Sequence, residues 1–433
     1  MKTITIVGLG YVGLPLACLC AEKGFKVYGL DIDKNKVDLI NKSQSPIEDS
    51  YIIQKLKNLK NRIQATTNAS YCIPNSDIVI VCVPTPVDRN NIPDLTPLME
   101  SVSTISKFIK QGTLLIIEST IYPGTIEEVV LPILKKQRFD TYKNDVFVAH
   151  CPERIDPGNR RWTIENLPRV VGGITKEATK KAAEFYRSII EADVMEFSSI
   201  KAAEATKIME NTFRDVNIAF VNEMAKSFDK AGIDIIEVIK GASTKPFAFM
   251  PHYPGAGVGG HCIPIDPYYL IEKAKQIGFD HKFLSLAREI NNSMPSYTVE
   301  LLENELKKLK RSIKDAKVGI LGLAYKANVD DIRESPAFEI INMLKTKGAE
   351  VFVFDPHVKK GNNVNDLDEL LNKSDYIILV TYHDEFKNMD LTKLKKYKIS
   401  VVIDGRNCLD KEKIKQMGIL YHGIGRSWNL FLK

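Results

Sequence analysis

Cysteine is scarce in this sequence, and its placement excludes two kinds of structural cross-link. The chain has seven cysteines in 433 residues, an odd number, and no two of them form a C-x-x-C pair. Disulfide frameworks and structural zinc sites both depend on paired cysteines at regular spacing. The pattern favours a reducing compartment, and we expect a cytoplasmic protein without a structural metal.

Long apolar runs and strong charge of one sign are missing as well. No apolar stretch approaches the roughly 20 residues that span a bilayer. The opening MKTITIVGLG predicts a strand rather than a charged leader. The net charge of +6 is spread over predicted helix faces rather than gathered in one tract. We therefore expect neither a membrane nor a nucleic acid as partner, and the length is enough for two or three globular domains.

A glycine-rich turn is the first strong feature that is present. TITIV predicts a strand, LPLACLCAEKG a helix and FKVYGLDID a second strand that closes on Asp31. The turn before the helix has the form G-x-G-x-x-G and contains Gly8, Gly10, Tyr11, Val12 and Gly13. Its glycines let a pyrophosphate reach the backbone at the helix N-terminus, and Asp31 would accept hydrogen bonds from ribose hydroxyls. This unit predicts NAD rather than NADP, a preference that the nearby Lys36 slightly weakens.

Three further runs predict strands of a buried parallel sheet. SDIVIVCVPTP, GTLLIIEST and DVFVAHCPE are short, apolar and followed by polar or turn residues. Ligands of open parallel sheets lie beyond the carboxyl ends of the strands. Thr85, Thr120 and Glu153 stand at those ends and are candidate site residues.

The rest of the chain predicts a long helix and then a weak repeat of the opening unit. Residues 198–232 have apolar residues at helical spacing, and they place Lys207, Asn211 and Arg214 on one helix face. AKVGILGLAYK then repeats the first strand and turn, and GAEVFVFDP repeats the second strand. We expect an α/β protein of two Rossmann-like, doubly wound domains joined by a long-helix connector. The expected domains are 1–197 for NAD, 198–310 for the connector and 311–433 for a second Rossmann-like domain, whose turn with Lys326 predicts a nucleotide-phosphate site of a different kind.

The segment PGAGVGGHCIPIDP places Cys262 in a run of glycines and prolines. A metal site does not fit, because only the adjacent His261 is near and no other Cys or His lies at ligand spacing. An incidental cysteine in a turn and a nucleophile both stay open. The nucleophile makes physical sense, because Gly257 and Gly259 remove side chains around the thiol and loop amides can stabilise a thiolate or an oxyanion.

A nicotinamide fold with a nucleophilic thiol points to oxidation of an aldehyde. Oxidising an alcohol to an aldehyde needs a base and a hydride acceptor but no covalent step. Oxidising the aldehyde to an acid through a thiol proceeds by a thiohemiacetal and then a thioester, which water hydrolyses. Glu153, Lys207 and Asn211 have the right chemistry for the base and for the oxyanion donors.

Together these motifs resemble the UDP-glucose/GDP-mannose dehydrogenase family. GLGYVGLP, VPTP, EST, CPER, KIMENTFRDVNIA, GVGGHCIPIDP and LAYKANVDDIRESPA occur in family order along essentially the whole chain. The resemblance implies that a C6 alcohol of a UDP-sugar is oxidised to a carboxylate with two NAD. It also implies a homodimer through the long central helix, and a uronate product used in polysaccharide or glycan synthesis.

The resemblance implies a role for individual residues. Cys262 would be the nucleophile, Glu153 would serve thioester hydrolysis, and Lys207 with Asn211 would hold the oxyanion. Asp266, with a water near Thr120, would assist proton movement. The cofactor set would further include Thr85, Thr120 and Arg333. The substrate set would further include Arg154, Arg214, His252, Tyr253, Gly257, Gly259, Tyr325, Lys326 and Arg406.

The thiol loop also bears on the sugar. Glucose-type members tend to read GGSCFPKD, whereas GGHCIPIDP with PHYPGAGVGG is similar to members that act on UDP-N-acetylhexosamines. CPERIDPGNRRWTIENLPRVVGG most resembles the UDP-N-acetylglucosamine 6-dehydrogenases, with UDP-N-acetylmannosamine and UDP-glucose as alternatives. His252 stands where glucose-type members carry an arginine from the partner subunit.

Two other classes of protein stay open at this point. A two-electron hydroxyacid dehydrogenase would share the first domain but needs neither the thiol loop nor the second repeat. A regulator that only binds NAD or a nucleotide sugar would not need the intact set of Glu153, Lys207, Asn211, Cys262 and Asp266.

Overall fold

The computed structural model describes residues 2–47, 49–59, 62–88, 90–155, 159 and 161–426. The chain divides into two compact units. The first comprises Met1–Glu210 and Tyr268–Asp280, and the second comprises Asn211–Pro267 and His281–Lys433.

The first unit contains an eight-stranded sheet. Its strands are β1 Thr3–Val7, β2 Lys26–Leu30, β3 Ile63–Thr66, β4 Ile78–Val81, β5 Leu114–Ile117, β6 Phe147–His150, β7 Arg169–Gly173 and β8 Val194–Glu196. The order is β3-β2-β1-β4-β5-β6-β7-β8, and every neighbouring pair is parallel except β6 with β7. The first six strands have the doubly wound Rossmann order, whose switch point lies between β1 and β4. The predicted dinucleotide turn is therefore at the expected edge.

Helices cover this sheet because its central strands are apolar throughout. The IVIV of β4 and the LLII of β5 are completely buried, as in parallel sheets covered on both faces. The helices are α1 Gly13–Glu22, α2 Lys34–Asn41, α3 Ser50–Leu59, α4 Ala69–Cys72, α5 Thr96–Ser106, α6 Leu131–Lys136 and α7 Lys176–Ile189. Short 3-10 turns occupy Ile73–Asn75 and Thr141–Lys143, and a π-helical stretch, Ile126–Val130, leads into α6.

A group of helices follows, most of it in the second unit. These helices are α8 Ile200–Ala231, α9 Ile235–Ala242, α10 Asp266–Gln276, α11 Lys282–Asn292 and α12 Met294–Lys308. The predicted long helix is thus confirmed as α8. Pro295 lies in the first turn of α12, where a missing N–H carries no penalty, so it is compatible with the start of this helix.

The second unit contains a five-stranded parallel sheet. Its strands are β9 Lys317–Leu321, β10 Glu350–Phe354, β11 Tyr376–Leu379, β12 Val401–Asp404 and β13 Leu420–Gly423, in the order β10-β9-β11-β12-β13. Its helices are α13 Pro336–Thr346, α14 Leu367–Lys373, α15 Asp384–Lys387, α16 Thr392–Lys396 and α17 Lys411–Gln416. Counted from β9 the order is 2-1-3-4-5, the second common doubly wound arrangement. The predicted α/β architecture of two doubly wound halves with a long helix is confirmed.

The second half departs from the first directly after its glycine turn. In the first unit α1 begins at Gly13, within the fingerprint itself, but α13 begins only at Pro336, well after Gly322. The intervening loop carries Tyr325, Lys326 and Arg333. Within the described residues, no helix combines the length and apolar character that crossing a membrane requires.

Candidate active site

The glycine turn of the first unit leaves space at the start of α1. A Cβ on Gly13 would lie 1.9 Å from the Gly8 oxygen, and one on Gly8, whose φ is 90°, would lie 2.7 Å from the Cys82 oxygen. A Cβ on Gly10 would meet nothing within 4 Å. Two of the glycines therefore serve close packing, and the third borders open space at a helix start that Val12 does not cap through its side chain. Such a turn fits a pyrophosphate.

Asp31 follows β2 at the same edge of the sheet. Its Oδ2 accepts the Leu9 N–H at 2.8 Å and its Oδ1 accepts the Asp33 N–H at 2.9 Å. The Lys36 ammonium lies 3.9 Å from Oδ2, so the predicted neighbourhood of the two side chains is found. The next residue, Ile32, is fully exposed and offers an apolar surface that sequence reasoning missed. A ribose acceptor beside an apolar surface fits the adenosine part of a dinucleotide.

Thr85 and Thr120 lie at neighbouring strand ends and are bonded together. The Thr85 hydroxyl donates to the Thr120 carbonyl at 2.7 Å, and the Tyr269 hydroxyl donates to the Thr85 carbonyl at 2.6 Å. The segment after Thr120 is held by Glu204 of α8, whose carboxylate accepts the N–H groups of Gly124 and Ile126 at 2.5 and 2.9 Å. The backbone at Thr120 is therefore held from both sides.

Glu153 follows β6 and is buried. Its Oε1 accepts the Arg154 and Ile155 N–H groups, each at 2.6 Å, and its Oε2 accepts Nη1 of Arg169 at 2.8 Å. Arg154 itself reaches Glu210 of α8, with Nη2 2.6 Å from Oε1 and Nε 3.1 Å from Oε2. The Arg154 guanidinium, which was predicted to meet the substrate, thus also forms a bidentate ion pair that links the CPER segment to α8.

Sequence reasoning missed three residues that surround this carboxylate. Arg169, Glu118 and Tyr186 are buried, and the Tyr186 hydroxyl donates to Oε1 of Glu118. Burial raises the pKa of Glu118 to about 7, an effect that the Arg169 charge opposes. A buried arginine inside RVVGG and a glutamate inside LLIIEST are unusual for interior strands, and that was the available signal.

Lys207 of α8 is half-buried, and it has no ion-pair partner within 4.0 Å among the residues described. Beside it lies His150, at the end of β6. Burial lowers the pKa of His150 to about 3, and the Lys207 charge acts in the same direction. An ammonium next to a neutral imidazole remains available for a developing negative charge.

In the second unit Cys262 lies in the turn that leads into α10. Its carbonyl accepts the N–H groups of Ile265 and Asp266 at 3.0 and 2.8 Å, and the residue is half-buried. Asp266 is buried and accepts the Asn211 amide, Nδ2 to Oδ2, at 2.6 Å. A thiol ahead of a helix N-terminus, close to an amide and a carboxylate, is in the setting of a reactive cysteine.

The glycines of the thiol loop have a packing role that sequence reasoning missed. A Cβ on Gly259 would lie 2.7 Å from the Cβ of Tyr325, and one on Gly257 would lie 2.7 Å from the Cβ of Pro336. A Cβ on Gly255 would lie 2.5 Å from Nη1 of Arg406. These glycines therefore let the loop pack on segments of its own unit. They bring the thiol loop to Tyr325 and Arg406, two predicted substrate residues.

Arg406 is a desolvated cation. Its Nε donates to the Val380 carbonyl at 2.8 Å, and burial lowers the pKa of its guanidinium. Among the residues described, no carboxylate lies within 4.0 Å of that guanidinium, although the Asp404 carboxylate accepts the Arg406 backbone N–H at 3.0 Å. Lys326 is half-buried in the loop after β9. Two cations around the thiol loop suit an anionic diphosphate.

The remaining predicted residues of this unit are more exposed. Arg333 pairs with Asp331, Nη2 to Oδ2, at 2.6 Å, while its carbonyl accepts the Gly260 N–H. Arg214 and Tyr253 are exposed, and the His252 ring lies 6.1 Å from that of Phe213. The unit thus places Arg333 beside the thiol loop and leaves Arg214 and Tyr253 at the surface of the chain.

The acid of the second repeat has a structural task. Asp355 occupies the place of Asp31, but it is buried and accepts the Leu323 and Ala324 N–H groups as well as Nε2 of His383. Burial opposes ionisation, yet these bonds lower its pKa to about 2. This carboxylate holds the turn and is not open to a ribose, so the second half differs from a dinucleotide site.

Three side chains in the same region lie close enough together to suggest a metal site, but the hydrogen bonds of His383 argue against one. Ligand atoms of His357, His383 and Glu385 lie within 4.8 Å of one another. His383 accepts the Asn328 N–H on Nδ1, so its proton is on Nε2, which donates to Asp355. That tautomer leaves no ring lone pair for a cation.

Comparisons with known proteins agree with this geometry over most of the chain. Residues 2–190 match the NAD binding domain of the UDP-glucose/GDP-mannose dehydrogenase family, residues 201–293 its central domain and residues 319–411 its UDP binding domain. The chain belongs to this family. NAD is therefore its cofactor, and the enzyme is an NAD-dependent UDP-sugar dehydrogenase by family.

Relatives of this dehydrogenase are similar along their full length. The UDP-N-acetyl-D-mannosamine dehydrogenase of Methanococcus maripaludis is 38% identical over 98% of this chain and 97% of its own. The UDP-N-acetyl-D-glucosamine 6-dehydrogenase of Pseudomonas aeruginosa is 37% identical over 95% and 98%. The solved UDP-D-ManNAc dehydrogenase of Pyrococcus horikoshii has a TM-score of 0.92 at 35% identity, over 98% of this chain and 99% of its own.

Proposed function

We propose that this dehydrogenase oxidises the C6 hydroxyl of a UDP-N-acetylhexosamine to a carboxylate through a thioester on Cys262. The observation that carries the proposal is the half-buried thiol ahead of α10, one turn from the bonded pair of Asn211 and Asp266. A two-electron alcohol oxidation would not need this thiol.

The chemistry balances as two oxidations and one hydrolysis. The alcohol loses a hydride and a proton to give the aldehyde, and the Cys262 sulfur then adds to C6. A second hydride leaves C6 to give the thioester. Water attacks, the C–S bond breaks, and the acid and the thiol are released. One water enters while two hydrides and three protons leave, and bound NAD accepts the hydride in both oxidations.

The proposal gives the charged side chains separate tasks. Lys207 and Asn211 donate to the oxygen on C6 as it becomes negative. Glu153 takes a proton from the attacking water, and Asp266 with Thr120 assists proton movement.

The proposal divides the binding residues between the cofactor and the substrate. Gly8, Gly10, Gly13, Asp31 and Thr85 serve the cofactor, together with Tyr11, Val12, Lys36, Thr120 and Arg333. Tyr325, Lys326 and Arg406 meet the nucleotide diphosphate. Arg154, Arg214, His252, Tyr253, Gly257 and Gly259 complete the substrate set.

Two epimeric sugars are the candidates for the substrate. UDP-N-acetylglucosamine is the first, on the resemblance of the CPER-to-RVVGG segment. UDP-N-acetylmannosamine is supported by the names of relatives that are 38% and 35% identical. The cytoplasmic location and a use of the product in polysaccharide synthesis stay predictions, as do the domain bounds at 197 and 310.

NADH release with a panel of UDP-sugars, each run to completion, tests the proposal. The panel contains UDP-glucose and the UDP-linked N-acetyl derivatives of glucosamine, mannosamine and galactosamine. Two NADH per molecule of one N-acetylated sugar would support the proposal and identify the epimer. One NADH per sugar, or activity with UDP-glucose alone, would contradict it.

A further inference from the structure

A cluster of one buried cation and two buried carboxylates lies behind the strand ends of the first unit. Arg169 begins β7, Glu153 follows β6 and Glu118 follows β5, and all three are buried. Nη1 of Arg169 donates to Oε2 of Glu153 at 2.8 Å. Nε and Nη2 of Arg169 have no hydrogen-bond partner among the residues described. Arg169 thus donates a hydrogen bond to Glu153, while its charge also acts on the Glu118 carboxylate.

The charges of this cluster do not cancel unless one acid holds a proton. With both carboxylates ionised the cluster is negative, and an uncompensated buried charge is strongly unfavourable. Glu153 accepts two backbone N–H groups and a guanidinium. Among the residues described, the Glu118 carboxylate accepts hydrogen bonds from the Tyr186 hydroxyl and, at 3.8 Å, the Cys82 sulfur, which are weaker donors to a charge. The proton therefore belongs to Glu118.

Glu118 is also the group of this cluster that titrates near neutral pH. Burial raises its pKa to about 7, with Arg169 opposing and Glu153 adding to the rise. The other groups that face it are the Tyr186 hydroxyl of α7 and the thiols of Cys20, Cys82 and Cys151. Burial raises the pKa of each of these four, so they stay protonated while Glu118 ionises.

We propose that Glu118 is a positioning residue that sets, through Arg169, how strongly Glu153 acts as the base of thioester hydrolysis. The inference rests on the proposed function, which makes Glu153 that base. With Glu118 protonated, Glu153 is the one carboxylate of the cluster that balances the Arg169 charge. With Glu118 ionised, two carboxylates share the same cation, and Glu153 takes the proton of the attacking water more readily.

The rate of hydrolysis should therefore rise with pH through the ionisation of Glu118. During the step Glu153 gains the water proton, the new C–O bond forms at C6 and the C–S bond to Cys262 breaks. Glu118 touches neither the substrate nor the water. Its only change is the loss of its own proton to solvent as the pH rises.

Two variants test this control in different ways, one by removing the titrating group and the other by shifting its pKa. Glu118→Gln removes the titrating group, so the rise of the hydrolysis rate near pH 7, the rising limb of the pH profile, should disappear. At pH 8 the hydrolysis rate should fall by up to about tenfold, which is the effect of one pKa unit on a base. Tyr186→Phe removes a donor that lowers the pKa of Glu118, so the limb should move to higher pH. Glu184→Gln makes the same chemical change at an exposed position of α7 and should keep the wild-type limb.

The readout is single-turnover release of the acid from pH 5.5 to 9, with the UDP-sugar that the NADH panel identifies. A merely structural role of Glu118 would lower the rate by the same factor at every pH, and that result would overturn the inference. If Glu118→Gln fails to fold by circular dichroism, Tyr186→Phe decides alone: a shifted limb supports the inference and an unchanged limb overturns it.

Glu153→Gln separates this inference from the proposed function. If that variant stalls after the second hydride transfer while Glu118→Gln keeps the wild-type limb, the inference is wrong and the proposed function stands. If Glu153→Gln releases acid at the native rate, the role of Glu153 is wrong, and the inference fails with it.

Discussion

At the scale of single residues, each unit contains a predicted site cation that the fold leaves without an ion pair among the residues described. Among the residues described, Lys207 is half-buried and forms no ion pair. The Arg406 guanidinium is desolvated and has no carboxylate within 4.0 Å. Natural proteins usually pair such cations, because removing charge from water is unfavourable. Such a cation is available to an anionic ligand, and the proposed function assigns a C6 oxyanion to Lys207 and a diphosphate to Arg406.

Arg406→Met should weaken substrate binding more than it slows turnover. A hydrogen bond to a charged group contributes about 1.5–3 kcal/mol, so KM for the UDP-sugar should rise by roughly 10- to 100-fold. The turnover number should change by less than about threefold, because the contact is equal in ground and transition state. Steady-state kinetics of the variant against Arg311→Met, an exposed arginine of the same unit, measures the difference. An unchanged KM would contradict the assignment of Arg406.

At the scale of secondary-structure elements, a buried histidine ties together three parts of the second unit. Nδ1 of His422, on β13, lies 2.7 Å from Glu305 of α12, and its Nε2 lies 3.0 Å from Asp229 of α8. The Tyr297 hydroxyl donates to the same aspartate at 3.1 Å. Burial lowers the pKa of His422, but the two carboxylates outweigh it and raise the pKa overall.

This arrangement predicts that the second unit loses stability as the pH rises above the ordinary histidine range. Because the folded pKa of His422 lies above its usual 6.5, its stabilisation is complete below that value and is lost as the pH passes through the folded pKa. The urea midpoint should fall over that interval in wild type. His422→Gln should remove this part of the slope and destabilise the protein by about 3–5 kcal/mol below pH 6.5.

Tyr297→Phe is the control for this pH dependence. It removes one donor to Asp229 but keeps the imidazolium between its two carboxylates, so the slope should persist. A wild-type urea midpoint that stays constant from pH 6.5 to 9 would be incompatible with a charged His422.

At the scale of the whole molecule, α8 exposes a row of large apolar side chains. Met209, Phe213 and Phe220 are exposed, and their spacing places them on one side of the helix. Exposed apolar rows of this kind indicate a protein–protein interface, and a second copy of the chain is the partner that the family resemblance implies.

Phe220→Glu should therefore convert a dimer into a monomer. A charge at the centre of a self-complementary apolar face is introduced twice, once from each copy. Light scattering after gel filtration should give twice the chain mass for wild type and for Tyr142→Glu, which changes an exposed aromatic elsewhere. A wild-type monomer, or a Phe220→Glu dimer, would contradict a dimer through α8.

The sequence predicted the parts of this molecule that local patterns encode. The strand–turn–helix around Gly10, the acid Asp31, the long helix and the second doubly wound half are all confirmed, because each depends on residues close in sequence. The cluster of Glu118, Arg169 and Tyr186 was missed, because it joins residues up to 68 positions apart. The charged residues at apolar strands were a signal for Glu118 and Arg169, but they did not indicate that the two side chains meet.

The thiol loop is a second place where contacts between residues distant in sequence could not be predicted. Its glycines were interpreted as space for a substrate, whereas Gly257 and Gly259 pack against Pro336 and Tyr325 of the same unit. This packing could not be predicted from the sequence, since Pro336 and Tyr325 lie far along the chain and nothing in the loop itself indicates them; the substrate role of the two glycines stays a prediction.

The most direct test of the account is to trap the thioester. Glu153→Gln enzyme is mixed with NAD and the UDP-sugar, quenched in acid and digested, and the peptide that contains Cys262 is weighed by mass spectrometry. We expect a uronyl adduct on Cys262 that accumulates in this variant, is short-lived in wild type and is absent from Cys262→Ser. No adduct on Cys262, together with release of acid by Cys262→Ser at the native rate, would contradict the covalent mechanism.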